Sequence, residues 1–346
     1  MANRRRMRIA AALGIALAVG MGPGGCAPPD TPFAATRANQ MLRTGEARLS
    51  AREYDAALAE FQKAIELNPR LAPAHSYIGQ IQQERGDYEA AAKAYAEAVK
   101  LNPWSFNDSL ALGQVYEKLV RIADAIRAYL HACELQPRNY AARMSLGICY
   151  QQAGEHENAL AAFKTASELD PQQTEPWLRM GEVFETQQKL YEALHAYNEC
   201  LDRQPEAPGV LLRIAGVMMK QERFASAKKT LERAIELDPQ FAPAYERMGY
   251  CCFRMRAYGE ALTNYNWATT LDPKMAEAHA GRGVVRMAMY LQDTTDIESR
   301  RLAIEHWHRS LELNPNQPKL RELIAKYKLP EDDQTAAILL GTSEEE

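Results

Sequence analysis

Apolar side chains recur along most of the chain at spacings of four and then three residues. The triplets are Ala57/Phe61/Ala64, Ala91/Tyr95/Ala98, Ala125/Tyr129/Ala132, Ala159/Phe163/Ala166, Ala193/Tyr197/Cys200, Ala227/Leu231/Ala234, Ala261/Tyr265/Ala268 and Ala303/Trp307/Ser310. Such spacing puts each triplet on one stripe of a helix. Twelve residues after the first member stands a proline: Pro69, Pro103, Pro137, Pro171, Pro205, Pro239, Pro273 and Pro315. Upstream, 24 residues before each of the first seven prolines, come Gly45, Gly79, Gly113, Gly147, Gly181, Ala215 and Gly249, and Gly283 continues the series at 34 residues, 32 before Pro315. The repeat length is 34 residues until the last interval, which is 42.

Each series has a physical task. Proline ends a helix, because it lacks an N–H and clashes with the preceding turn. Glycine within a helix is unfavourable by roughly 1 kcal/mol relative to alanine, so its recurrence requires a close approach. The expected approach is to the alanine that opens the triplet, with the following aromatic filling the space between neighbouring repeats. Every repeat then reads as helix, short turn, helix, stop.

These glycine, alanine, aromatic, alanine and proline positions resemble the signature of the tetratricopeptide-repeat (TPR) family, over about four-fifths of the chain. The resemblance implies an all-α helical solenoid, a right-handed superhelix of about eight helix-turn-helix repeats. The repeats occupy 38–315, and a polar-backed capping helix follows over 316–329. Leu320, Leu323, Ile324 and Tyr327 lie on one side of that helix, which suits the open end of a solenoid. The family's recurring tryptophan survives only as Trp177, and its tyrosine as Tyr116 and Tyr150, with Phe184 similar. The first repeat has Thr44 and Arg48 where apolar residues are expected. Eight extra residues between Arg286 and Ala303 read as a lengthened hairpin, with a partner-docking loop as the alternative.

Outside the repeats the pattern changes. Arg4, Arg5, Arg6 and Arg8 precede an apolar run from Ile9 to about Met21, then Gly24-Gly25-Cys26. That layout reads as a secretory signal over 1–26, and its run is shorter than the roughly 20 residues a bilayer span needs. Gly24-Gly25-Cys26 resembles the lipobox of bacterial lipoproteins, which implies lipidation at Cys26 and a membrane-anchored location in the cell envelope, facing the periplasm. Residues 27–37 are proline-rich and read as a stiff tether. Residues 330–346 carry Glu331, Asp332, Asp333, Glu344, Glu345 and Glu346 and are expected to be an acidic disordered tail.

Composition narrows the function. The net charge is −4, from 41 basic and 45 acidic side chains, so nothing suggests a nucleic-acid binder. The histidines form no His-Glu-x-x-His, and no phosphate-binding Gly-x-x-x-x-Gly-Lys or Gly-x-Ser-x-Gly occurs. No catalytic residue, metal or cofactor is assigned, and no enzyme is expected. Cys133, Cys149, Cys200, Cys251 and Cys252 make no Cys-x-x-Cys and read as small buried helical residues.

The family resemblance implies a partner-binding groove on the first helix of each repeat. Carried onto this chain, its residues are Tyr77, Gln80, Gln114, Met144, Ile148 and Gln151, with Leu42 beside them. Further on come Arg179, Arg213, Lys220, Arg247, Tyr250, Phe253 and Arg254. Arg179, Arg213 and Arg247 are each 34 residues apart and would stack as a ladder, whose guanidinium forks suit carboxylates and carbonyls. Glu175, Glu182, Glu185 and Glu246 share the surface and would neutralise it instead. The expected function is a scaffold binding partner proteins or peptides. Alternatives are a specificity module, for peptide or glycan, of an exported enzyme or secretion machine, and a self-assembling structural protein.

Overall fold

A computed structural model describes residues 32–327, in which seventeen helices are joined by short turns. The first helices of the repeats are α1 (Pro32–Ser50), α3 (Ala72–Glu84), α5 (Phe106–Lys118), α7 (Tyr140–Gln152), α9 (Glu175–Thr186), α11 (Pro208–Lys220), α13 (Ala242–Arg254) and α15 (Ala276–Gln292). The second helices are α2 (Tyr54–Leu67), α4 (Tyr88–Leu101), α6 (Ile122–Leu135), α8 (His156–Leu169), α10 (Leu190–Arg203), α12 (Phe224–Leu237), α14 (Tyr258–Leu271) and α16 (Ile297–Leu313), followed by α17 (Pro318–Tyr327). Among the described residues there is no strand, and no helix is long and apolar enough to cross a membrane. Helices α1–α5 and α6–α17 belong to two compact units.

Every second helix stops two residues before its proline. The residue between them reinforces the stop in six repeats. Asn68, Asn102, Asp170, Asp238, Asp272 and Asn314 each accept, through a side-chain oxygen, the N–H of the residue two further on. This is an Asx turn, which competes with helix continuation.

Within each compact unit the glycines work differently from the expectation. A Cβ on Gly181 would lie 2.3 Å from the Tyr197 ring, and one on Gly147 would lie 2.5 Å from the Phe163 ring. Gly45 faces Phe61, Gly79 faces Tyr95, and Gly249 faces Tyr265 in the same way. The missing side chain therefore makes room first for the aromatic of its own repeat, and at Gly283 for both Trp307 at 2.4 Å and the expected alanine, through the Ala303 carbonyl at 2.8 Å. Tyr265 is also covered by Gly281 of the next repeat, so one ring fills both the helix pair and the seam beyond it.

The turns between paired helices share a second 34-residue series that the sequence reading missed. Arg52, Gly86, Val120, Gly154, Gln188, Glu222 and Arg256 all have φ between 57° and 79°. In each turn the next N–H reaches back five residues, as in Arg121 N to the Tyr116 carbonyl at 2.9 Å. That is the Schellman stop, which favours glycine at the left-handed position. Val120 is the poorest occupant, being β-branched, and it is 77% exposed, so its side chain packs little. Val120→Gly is expected to raise stability by about 1 kcal/mol, the left-handed penalty less the entropy glycine brings to the unfolded chain. Chemical denaturation of the two proteins measures the difference.

One boundary differs from expectation. α1 begins at Pro32, so residues 32–37 are helical rather than part of an extended tether. Proline at a first helical position removes an N–H that has no partner anyway, and Ala34 and Ala38 are buried. The eight extra residues of the last repeat lengthen α15 by four and α16 by three relative to α13 and α14, and the turn by one. They form a longer hairpin, stopped by Asp293 in another Asx turn and restarted by Asp296 as N-cap.

α17 packs on this hairpin. Leu320 and Ile324 are buried against Ile304 and Trp307, and the Gln317 amide donates to the Ser310 carbonyl at 3.1 Å. The signal with Cys26, residues 27–31 of the tether and the acidic tail lie outside the described residues.

Candidate functional site

In the first unit Tyr77 and Gln80 border a cleft of about 800 Å³ between α1 and α3. Tyr77 stacks on Phe61 at 5.1 Å between ring centres, and its phenol is raised by burial and by its bond to Glu46. Gln80 donates to Glu84 at 3.1 Å. The cleft is lined by the carboxylates of Glu46 and Glu84 together with Arg52, none of which the sequence assignment included. Leu42 packs partly into the core beside Phe61, and Gln114 on α5 is exposed.

In the second unit Met144 is not a groove residue. It is 6% exposed and packs with Phe163, Met180 and Val183. An unbranched apolar side chain next to that aromatic gains more from filling the core than from contact with water. Ile148 lies partly buried against the same cluster, and Gln151 is half-buried.

The charged positions lie together across α9, α11 and α13, and acidic neighbours hold most of them. Arg179 donates to Glu175 at 2.8 Å and to Glu182 at 3.2 Å, both on its own helix. Glu182 also accepts from Arg213 of α11 at 3.1 Å, joining two repeats. Glu185 accepts from Lys220 at 2.6 Å and from the Tyr197 hydroxyl at 2.7 Å. Burial and that bond push the Tyr197 phenol far up. These carboxylates were foreseen as neutralisers, but their bridging of successive repeats was not.

Arg247 makes no ion pair within 4 Å among the described residues. Its guanidinium lies over Gly216 of α11, 3.0 Å from where a Cβ would stand. Beside it Glu246 is raised by burial, Arg247 opposing the shift and Glu277 adding to it. Arg254 lies over the Phe224 ring at 4.4 Å, bonds the Tyr250 hydroxyl at 2.9 Å and reaches Glu222 at 3.4 Å. Phe253 packs on Tyr258, 5.9 Å between ring centres. The result is a strip of half-exposed cations and aromatics whose ion pairs can exchange with water. Exposed pairs of this kind contribute roughly 0.2–1 kcal/mol each.

The five helical cysteines are buried and form no disulfide among the described residues, and burial raises the thiols of Cys200 and Cys251 to about 12. A thiol so placed is a poor nucleophile.

A solenoid of helical hairpins with a polar and aromatic strip on its first helices defines a repeat scaffold. The tetratricopeptide-repeat pattern matches residues 42–104 and 110–174, and a second pattern of the same description matches 186–248. The chain belongs to the tetratricopeptide-repeat family. Its structure is similar to the C-terminal part of a TPR repeat-containing protein from Cytophaga hutchinsonii, with TM-score 0.58, 14% identity, and 70% of this chain and 97% of that one covered. A tetratricopeptide repeat protein from Parabacteroides merdae gives TM-score 0.55 and 17% identity over 75% of this chain and 99% of the other. A chain of the APC/C hetero-tetramer Cut9-Hcn1 gives TM-score 0.50 and 20% identity, covering 80% of this chain, which spans about half (53%) of that chain's length. No curated protein matches the chain in sequence.

Proposed function

We propose that the chain is an exported scaffold, held at a bacterial membrane through lipid on Cys26, that receives segments of partner proteins along α9, α11 and α13. That it is a protein-interaction scaffold follows from its family. Export and anchoring rest on the charged head, the short apolar run and Gly24-Gly25-Cys26. The observation that carries the binding surface is the strip of Arg213, Lys220, Arg247 and Arg254 with Tyr250 and Phe224. Its cations are shared among few carboxylates, so a partner's carboxylates or backbone carbonyls can take over the same donors. A single acyl chain holds a membrane only marginally, so stable anchoring needs several.

Cys26→Ser is expected to move the protein from the membrane fraction to the soluble fraction of the native cell. Unchanged sedimentation with membranes would remove the anchor from the reading. A photo-crosslinking side chain at Lys220 tests the strip separately. It should capture a discrete partner band in the native envelope, whereas a crosslinker at exposed Lys100 of the first unit should not.

A further inference from the structure

Three positions of the first helix are apolar in three successive repeats. They are Trp177, Met180 and Phe184 on α9; Leu211, Ile214 and Met218 on α11; and Tyr245, Met248 and Cys252 on α13. The next members of the same 34-residue series, on α15, are His279, Arg282 and Arg286. At α9 the row lines an apolar cavity of about 480 Å³ with Tyr191 and His195. At α15 the equivalent seam, between α14 and α16, has become basic.

Its polar atoms are poorly satisfied. Arg282 reaches only the Thr269 hydroxyl of α14, at 3.5 Å, and the Nε2 of His279 lies 3.1 Å from the Pro273 carbonyl. The Nε atoms of Arg282 and Arg286 and the Nδ1 of His279 are buried without a hydrogen bond. Neither arginine makes an ion pair within 4 Å among the described residues. His306 of α16 completes the furrow, and burial, then Arg282, His279 and Arg286, push its pKa down to about 3. Burial, then Arg286, also lowers Arg282, while Glu305 opposes the shift. The nearby carboxylates have closer partners: Glu298 and Glu305 pair with Arg301 at 2.7 and 3.5 Å, and Asp296 caps α16, while Arg286 acts on Asp296 and Glu298 only through space. Half-buried cations with unmade bonds and no ion pair within 4 Å are unfavourable, and an oxyanion would relieve both deficits at once.

Carboxylates are available in the same chain. Tyr327 at the end of α17 accepts a hydrogen bond from Arg300 of α16 at 3.0 Å through its carbonyl. Glu331, Asp332 and Asp333 begin four residues further on, and Glu344, Glu345 and Glu346 follow. Four extended residues span at most about 14 Å, more than the width of a helix with its side chains, about 10–12 Å. The chain length thus allows the first acidic cluster to reach across a helix from Tyr327, and the remaining residues extend the reach. We propose that the furrow formed by His279, Arg282, Arg286 and His306 is a carboxylate-binding site occupied by the acidic segment 331–346 of the same chain. This does not depend on what binds along α9, α11 and α13.

The test uses the full chain and a glutamate-specific protease. In the unaltered protein, cleavage within 331–346 should be slow at low salt and rise roughly ten-fold or more as salt screens the contact. The double variant Arg282→Met, Arg286→Phe restores residue types that the same row carries at Met180 and Phe184, so it should keep its helical circular dichroism. In that variant the segment should be cut fast at every salt concentration. Equal cleavage of the folded variant and the unaltered chain at low salt would overturn the proposal. A chain ending at Leu329 should bind a labelled 330–346 peptide, and the double variant of that chain should bind it about ten-fold more weakly or not at all. If inorganic phosphate binds the furrow while the peptide does not, the site takes a free oxyanion and the intramolecular occupant is excluded.

Discussion

Phe163→Ala is expected to lower the stability of the second unit by roughly 3–5 kcal/mol and to split its unfolding into steps. The Phe163 ring is fully buried. It lies beneath Gly147 at a distance no Cβ would permit, and it packs with Met144, Met180 and Val183 from the first helices of two repeats. Alanine there leaves a cavity that the glycine opposite cannot help to fill. In a solenoid each repeat is held by its own helix pair and its nearest neighbours, so the loss stays local. Repeats on either side should persist while the one around α7 and α8 opens. Guanidinium titration followed by far-ultraviolet circular dichroism should show a plateau or a broadened transition. One sharp transition, shifted as a whole, would show cooperativity extending beyond neighbours.

The repeat was legible because its key residues are both periodic and chemically distinctive. Proline marks the end of each second helix, and glycine marks each close approach. The left-handed turn residues were hidden, since only Gly86 and Gly154 in that series announce the conformation, whereas Arg52, Val120, Gln188, Glu222 and Arg256 do not. The glycine's partner was misjudged because spacing along the sequence cannot distinguish a methyl group from a ring one turn away. Met144 was assigned to the groove by register alone, but burial next to Phe163 decides its place. The start of α1 was missed because prolines suggested a tether, whereas buried Ala34 and Ala38 extend the helix. For the candidate site the positions of Arg179, Arg213 and Arg247 were readable. Which carboxylate each arginine meets depends on the packing of α9 on α11, which no linear spacing encodes.

That pairing shapes the prediction for the groove. Arg179 sits between Glu175 and Glu182 on one helix, so Arg179→Ala should alter stability slightly and binding little. Arg213 has a single partner, Glu182, and its side chain is 52% exposed. Arg247 makes no ion pair within 4 Å among the described residues, although Glu246 stands beside it. Arg213→Glu should therefore weaken capture of an acidic or carbonyl-rich partner by about ten-fold or more, since a hydrogen bond to a charged group contributes roughly 1.5–3 kcal/mol. It would also set a second carboxylate beside Glu182, repelling the same partner. Added salt should weaken the unaltered complex, because exposed charges are screened beyond about 10 Å at 0.1 M. The competing account holds that these arginines only balance the carboxylates between repeats. Under that account Arg213→Glu lowers stability by a few tenths of a kcal/mol, the scale of an exposed pair, and leaves the partner bound. The variant with all three arginines changed to alanine separates the two. If it stays helical and retains the crosslinked partner at full affinity, the ladder is structural and recognition must lie with the aromatics around Tyr250.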